Sequence, residues 1–242
     1  MSASVFYFLI STRTLSVNNN PVQRLASGRH LFGFFLILAG IATATCLMAR
    51  HPFFSPSRGH RFILYLALIA MELLRVWYVI AGARANGKHL IDVVGRGWST
   101  WRDGARDCLL AVGTITLVAL TVRGLVFLVG SSSPDVAFML PTSFAESTGW
   151  IVLSITGGIC EEVAYRGYLQ RQLWAFTGSL PVGVCLQAVA FGAVHLYQGW
   201  KQMAAIVGIG LVLGSVAAWR RSIIPGTIAH CILEILGGLI GG

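Results

Sequence analysis

The sequence predicts an all-α fold: a polytopic transmembrane helical bundle of about seven to eight helices enclosing a polar intramembrane active-site cavity. Three observations predict it. Of 242 residues, 55% are hydrophobic and only 11% charged, with a mean hydropathy of +0.73, where a soluble domain carries about a quarter charged residues. The apolar residues come in runs close to the roughly 20 residues that a helix needs to cross a bilayer. Inside those runs sit ionisable side chains, each costing about 2.5 kcal/mol or more at mid-bilayer and therefore kept for pairing or function.

The elements follow in order. A polar segment, Ser11 to His30, leads to a first apolar run over Leu31 to Ala49. The stretch Ser4 to Ile10 is short and lacks a preceding positive region, so it does not read as a secretory signal peptide. A basic loop (Arg50, Arg58, Arg61) precedes a second run from Phe62 to Ala83. Residues 84–107 are polar and basic, with Trp98 and Trp101 pointing to an interfacial segment. A third run covers Cys108 to Gly130, and the loop 131–148 carries acids and no lysine or arginine. Four closely spaced runs complete the chain: Gly149 to Phe176, Leu180 to Leu196, Lys201 to Trp219, and Ile223 to Ile240.

The formal charge of +9 comes mostly from loop arginines. It is the imprint of topology and of anionic lipid rather than of nucleic-acid binding. The positive-inside rule makes loops 84–107 and 220–222 cytoplasmic and 131–148 external, and leaves the N-terminal part ambiguous. The expected home is a bacterial inner membrane, with lipids as neighbours. The five cysteines (Cys46, Cys108, Cys160, Cys185, Cys231) lie in or beside apolar runs without paired spacing, which supports neither disulfides nor a zinc knuckle. Cys160 adjoins two carboxylates that disfavour a thiolate nucleophile.

The carboxylates are distributed unevenly. The four aspartates and Glu146 fall in predicted loops, while Glu72, Glu161, Glu162 and Glu234 fall inside runs. Glu72 and Arg75, three apart, are expected to neutralise each other and take no part in chemistry. Glu162 and Arg166 are four apart and can pair on one helix face, which leaves Glu161, rotated by about 100°, free to act as a base. Phe191 and His195, and then His230 and Glu234, repeat the four-residue spacing. Three helices thus present polar stripes that can converge on one pocket.

Glu161-Glu162-x-x-x-Arg166, Phe191-x-x-x-His195 and His230-x-x-x-Glu234, in this order within apolar helices, resemble the CPBP family of CAAX-processing and bacteriocin-processing intramembrane proteases. The resemblance divides the chain into an N-terminal transmembrane region with basic loops, 1–147, and a catalytic core, 148–242. It implies that Glu161, helped by His195, activates a water for attack on a peptide bond, and that Glu162 and Arg166 hold the first motif. It further implies that His230 and residue 234 stabilise the oxyanion, with a membrane-anchored or lipidated protein as substrate. Position 234 departs from the family, which more usually has Asn there. A carboxyl can donate to an oxyanion only while protonated, so Glu234 serves that role in its neutral form or else orients His230. No cofactor is required on this reading. A zinc-dependent version would use Glu161, His195 and His230, and a catalytically silent immunity or scaffold protein, or a proton-relaying transporter, would use the same carboxylates without hydrolysis.

Overall fold

The computed structural model describes residues 23–49, 61–130, 136 and 138–240. The N-terminal stretch, most of the basic loop with Arg50 and Arg58, and Asp135 lie outside the described residues. Within them the fold is helical: α1 (Gly28–Ala49), α2 (Arg61–Ala85), the short α3 (Leu90–Val94), α4 (Trp101–Val129) and α5 (Phe144–Glu161). α5 continues through a π-helical segment (Glu162–Leu169) into α6 (Gln170–Thr177), followed by α7 (Leu180–Ala193), α8 (Trp200–Arg220) and α9 (Ile224–Ile240). α1, α2, α4 and α8 are each long and apolar enough to cross a membrane.

Start and stop signals fix the ends. Thr100 caps α4, accepting from the Asp103 amide at 3.3 Å while the Asp103 carboxylate accepts from the Thr100 amide at 3.0 Å. α6 stops at Gly178, whose φ of 71° is left-handed and open to glycine at no cost. The helix over 101–129 begins seven residues before the expected apolar run, so Asp103 and Asp107 are helical rather than in a loop. Capping chemistry extends a helix past its hydrophobic stretch. Likewise α7 ends at Ala193, short of the expected Leu196.

Contacts define two ends of the bundle. At one end the Leu25 amide donates to Gln172 Oε1 at 2.6 Å, and the Arg96 amide donates to the Arg221 carbonyl at 2.9 Å. Arg220 pairs with Asp107 at 2.7 Å, both side chains buried, and Trp98 donates to the same carboxylate at 2.9 Å. At the other end Arg61 meets Glu146 at 3.4 Å and Tyr65 donates to the Met139 carbonyl at 2.6 Å. The loops 84–107 and 220–222 therefore share one end, and residues 138–146 lie at the opposite one. The start of α1 joins the first group, which orders the N-terminal part that charge alone leaves open. His30 lies inside α1 rather than before it. Its Nε2 donates to the Tyr78 carbonyl at 3.0 Å, which leaves Nδ1 to accept from the Tyr168 hydroxyl at 2.8 Å.

Glycines set the closest approaches. A Cβ at Gly158 would stand 3.0 Å from the Cys231 amide nitrogen, so α5 and α9 touch backbone to backbone there. Small residues at such crossings are how helices pack tightly without a hydrophobic drive between them.

Candidate active site

The helices meet at a cluster of charges, most of them buried, with Glu234 and His195 partly exposed. Glu161 closes α5 and Glu162 opens the π segment, whose wider winding is a frequent feature of functional sites. Glu162 Oε1 lies 2.9 Å from Arg166 Nη1, with both side chains fully buried. The expected pairing is present, within π rather than α winding. The same Glu162 oxygen accepts from His230 Nδ1 at 3.0 Å. That bond turns the other ring nitrogen into the site, where Nε2 lies 3.5 Å from Glu161 Oε2 and 3.6 Å from Glu234 Oε1. A glycine at 157 leaves room for the Glu234 carboxylate, because a Cβ there would stand 3.2 Å from its Oε2.

His195 reaches the site by a different route. It lies beyond the end of α7, and its Nδ1 donates to the Phe191 carbonyl at 2.8 Å. A carbonyl can only accept, so this bond protonates Nδ1 and leaves Nε2 with a free lone pair. The Phe191 ring is the spacer that gathers the other groups. It packs edge-on against His195 at 5.2 Å, His230 at 5.8 Å and Tyr165 at 5.0 Å, with the Arg166 guanidinium 4.3 Å over its face. Glu161, Glu162, Arg166, His230 and Glu234 are thus in direct contact, and His195 borders them across Phe191.

Gly178 is the tip of the α6–α7 hairpin; Glu161 precedes it by 17 positions and His195 follows it by 17. The arms match in residue count but not in winding: one runs through the π segment, and the other leaves the helix at Ala193 before His195. His230 is six positions from the start of α9, about 9 Å along the axis at 1.5 Å per residue. The cluster accordingly lies in the half of the bundle next to loops 84–107 and 220–222.

The sequence alone does not reveal Arg75. Its pairing with Glu72 is present, but the guanidinium is also 3.5 Å from Glu161 Oε1 and 5.2 Å over the Tyr165 ring. The self-contained pair expected on α2 is in fact part of the site, brought there by the packing of α2 on α5.

The charges explain what the site can hold. Four carboxylates (Glu72, Glu161 and Glu162 buried, Glu234 partly exposed) face two guanidiniums (Arg75, Arg166), and uncompensated buried charge is costly. Two protons, one on His230 and one on Glu234, or one divalent cation, balance the remainder. Glu161, His230 and Glu234 could hold a metal ion, since one ligand atom from each lies within 4.8 Å of the others. His195 is not in that group. Several buried polar atoms here lack hydrogen-bond partners, among them Glu162 Oε2, Tyr165 Oη and Arg166 Nε.

Residues 142–236 match the family model described as type II CAAX prenyl endopeptidase Rce1-like. No curated protein and no solved structure gave a match.

Proposed function

We propose that this chain, which belongs over residues 142–236 to the type II CAAX prenyl endopeptidase Rce1-like family, hydrolyses a peptide bond near the C-terminus of a membrane-associated or lipidated protein. The observation that carries this reading is the contact of Glu161 with His230, whose far nitrogen is held by Glu162 at 3.0 Å. It is a base set beside an oriented donor, away from bulk water.

In the reaction, Glu161 with His195 takes a proton from a water. The water oxygen bonds to the scissile carbonyl carbon, and the carbonyl π electrons move onto its oxygen. His230 Nε2 donates to that oxyanion, with Glu234 in its protonated form as a second donor or as the group that orients His230. Collapse re-forms the carbonyl and breaks the C–N bond, and the proton held by Glu161 passes to the leaving amine. Such preorganised donors contribute about 3–4 kcal/mol each, and a positioned base contributes roughly 10²–10⁴-fold. The basic loops make the 84–107 end cytoplasmic, in a bacterial inner membrane by this reading. The cluster lies in that half of the bundle, where a lipid-anchored C-terminus on the cytoplasmic leaflet would meet it.

The test compares cells carrying the wild type and Glu161→Gln at equal levels, with C-terminal peptides of membrane proteins read by mass spectrometry. Gln keeps the shape and removes the base. A set of proteins that keep their intact C-termini only in the variant is expected, and those termini name the substrates. Coincident profiles from two folded proteins would instead leave a silent immunity or scaffold protein as the reading.

The 4.8 Å grouping of Glu161, His230 and Glu234 favours a second version, in which these three would hold a divalent metal whose Lewis acidity would serve the carbonyl and the water. The Arg75 guanidinium beside Glu161 opposes a further cation at that carboxylate. The expected result of chelation with EDTA or phenanthroline is therefore a rate within about twofold of the untreated enzyme. Loss of activity, restored by zinc, would move the reaction to the metal version.

A further inference from the structure

The family match begins at residue 142, yet the site does not close without α2. α2 runs through apolar sequence from Phe62 to Ala83 with Glu72 and Arg75 as its charged residues there. Both are buried, at 6% and 3% exposure, on the face turned to α5. A self-neutralising pair would need no third partner. Arg75, however, turns one nitrogen, Nη2, to both Glu72 and Glu161 Oε1, the latter at 3.5 Å, while the other Glu161 oxygen faces His230 at 3.5 Å.

From this arrangement we infer that Arg75 is the positioning residue for Glu161, and that the Glu72–Arg75 pair makes α2 a working part of the catalytic site. The inference rests on Glu161 acting as the base. Each oxygen of that carboxylate has its own task. Oε1 faces Arg75 Nη2 at 3.5 Å, and Oε2 is left aimed toward His230 and the attacking water. Glu72 in turn steers Arg75, three residues away on the same face. Tyr165, one turn past Glu161, lies under the guanidinium at 5.2 Å and limits its swing. The geometry supplies orientation rather than contact with the reacting atoms, so kcat should respond and KM should not.

The experiment uses the full-length protein in proteoliposomes with a quenched, farnesylated peptide ending in Cys-aliphatic-aliphatic-X and its unprenylated twin. Wild type, Glu161→Gln, Arg75→Gln, Arg75→Lys and the double variant Glu72→Gln/Arg75→Gln are compared, with thermal unfolding in detergent alongside. Arg75→Gln is expected to lower kcat about 10- to 100-fold at unchanged KM, the loss typical of a misplaced catalytic group. The double variant removes both charges together, so it should unfold near the wild-type temperature and stay slow. Arg75→Lys, which keeps the charge but not the planar guanidinium that places Nη2 between the two carboxylates, should fall between the wild type and Arg75→Gln.

A purely structural pair predicts the opposite, because neutralising both partners then restores the rate. A folded double variant at wild-type kcat overturns the inference while leaving Glu161 as the base. If the double variant does not fold, Arg75→Lys decides. A folded Lys variant at wild-type kcat overturns the inference, and a slowed one at wild-type KM upholds it. A wild type that cuts neither peptide nor any protein in the cellular comparison overturns the proposed function and this inference together.

Discussion

His230→Gln is expected to lower kcat by about 10²–10³-fold with KM little changed, the loss that follows removal of one oxyanion donor. Gln is chosen because its amide can still donate to Glu162, so the buried pair with Arg166 keeps a neighbour on its open side. What it lacks is a second nitrogen on the opposite edge. In the imidazole, Nδ1 is held by Glu162 at 3.0 Å, and the ring then delivers Nε2 to within 3.5 Å of Glu161. One planar side chain thus spans the supporting carboxylate and the reacting one, which no amide does. Steady-state kinetics on the purified protein checks it. A loss below about fivefold would remove His230 from the oxyanion role and leave the ring as a spacer.

Arg166→Leu is expected to be the most destabilising single change, by about 3–5 kcal/mol, the range for breaking a buried pair by removing one partner. Glu162 is fully buried and would keep its charge with only His230 for company. Leu removes more than charge. The guanidinium lies 4.3 Å over Phe191, the ring against which both His195 and His230 pack. Thermal or denaturant unfolding in detergent measures the loss. The neutral double variant Glu162→Gln/Arg166→Gln should recover much of it. If Arg166→Leu unfolds like the wild type, Glu162 is not stranded and the ion pair is not what holds the motif.

The sequence exposes the parts of this molecule that depend on local pattern. Apolar runs give α1, α2, α8 and α9 to within a few residues, because burial in lipid requires them to be long and uniform. The four-residue spacings give the Glu162–Arg166 pair and bring His230 and Glu234 to one face. Less visible is whatever depends on hydrogen bonds outside the runs. The start of α4 follows its Thr100 cap rather than its hydropathy, which puts Asp107 in a helix against Arg220. Arg75 escapes for another reason. Glu72 three residues away is a sufficient local explanation for it, and nothing in the spacing shows that its other partner is 86 positions along the chain. The motif picks out His195 but as a helical residue, whereas its orientation comes from the carbonyl that the end of α7 leaves open.

The two arms of 17 residues on either side of Gly178 act as a ruler. Where Glu161 and His195 stand along the bundle is a matter of counting residues out to the tip and back, with the winding of each arm included. One residue added to or lost from either arm would slide its group by about 1.5 Å and turn it by roughly 100°, enough to aim it away from its counterpart. The turn itself is under no such constraint, since extra chain at Gly178 lengthens neither arm inside the membrane. Length changes across this part of the molecule are therefore tolerated only at the tip, and the interval from each active residue to its end of the hairpin is as much a determinant of activity as the residues themselves.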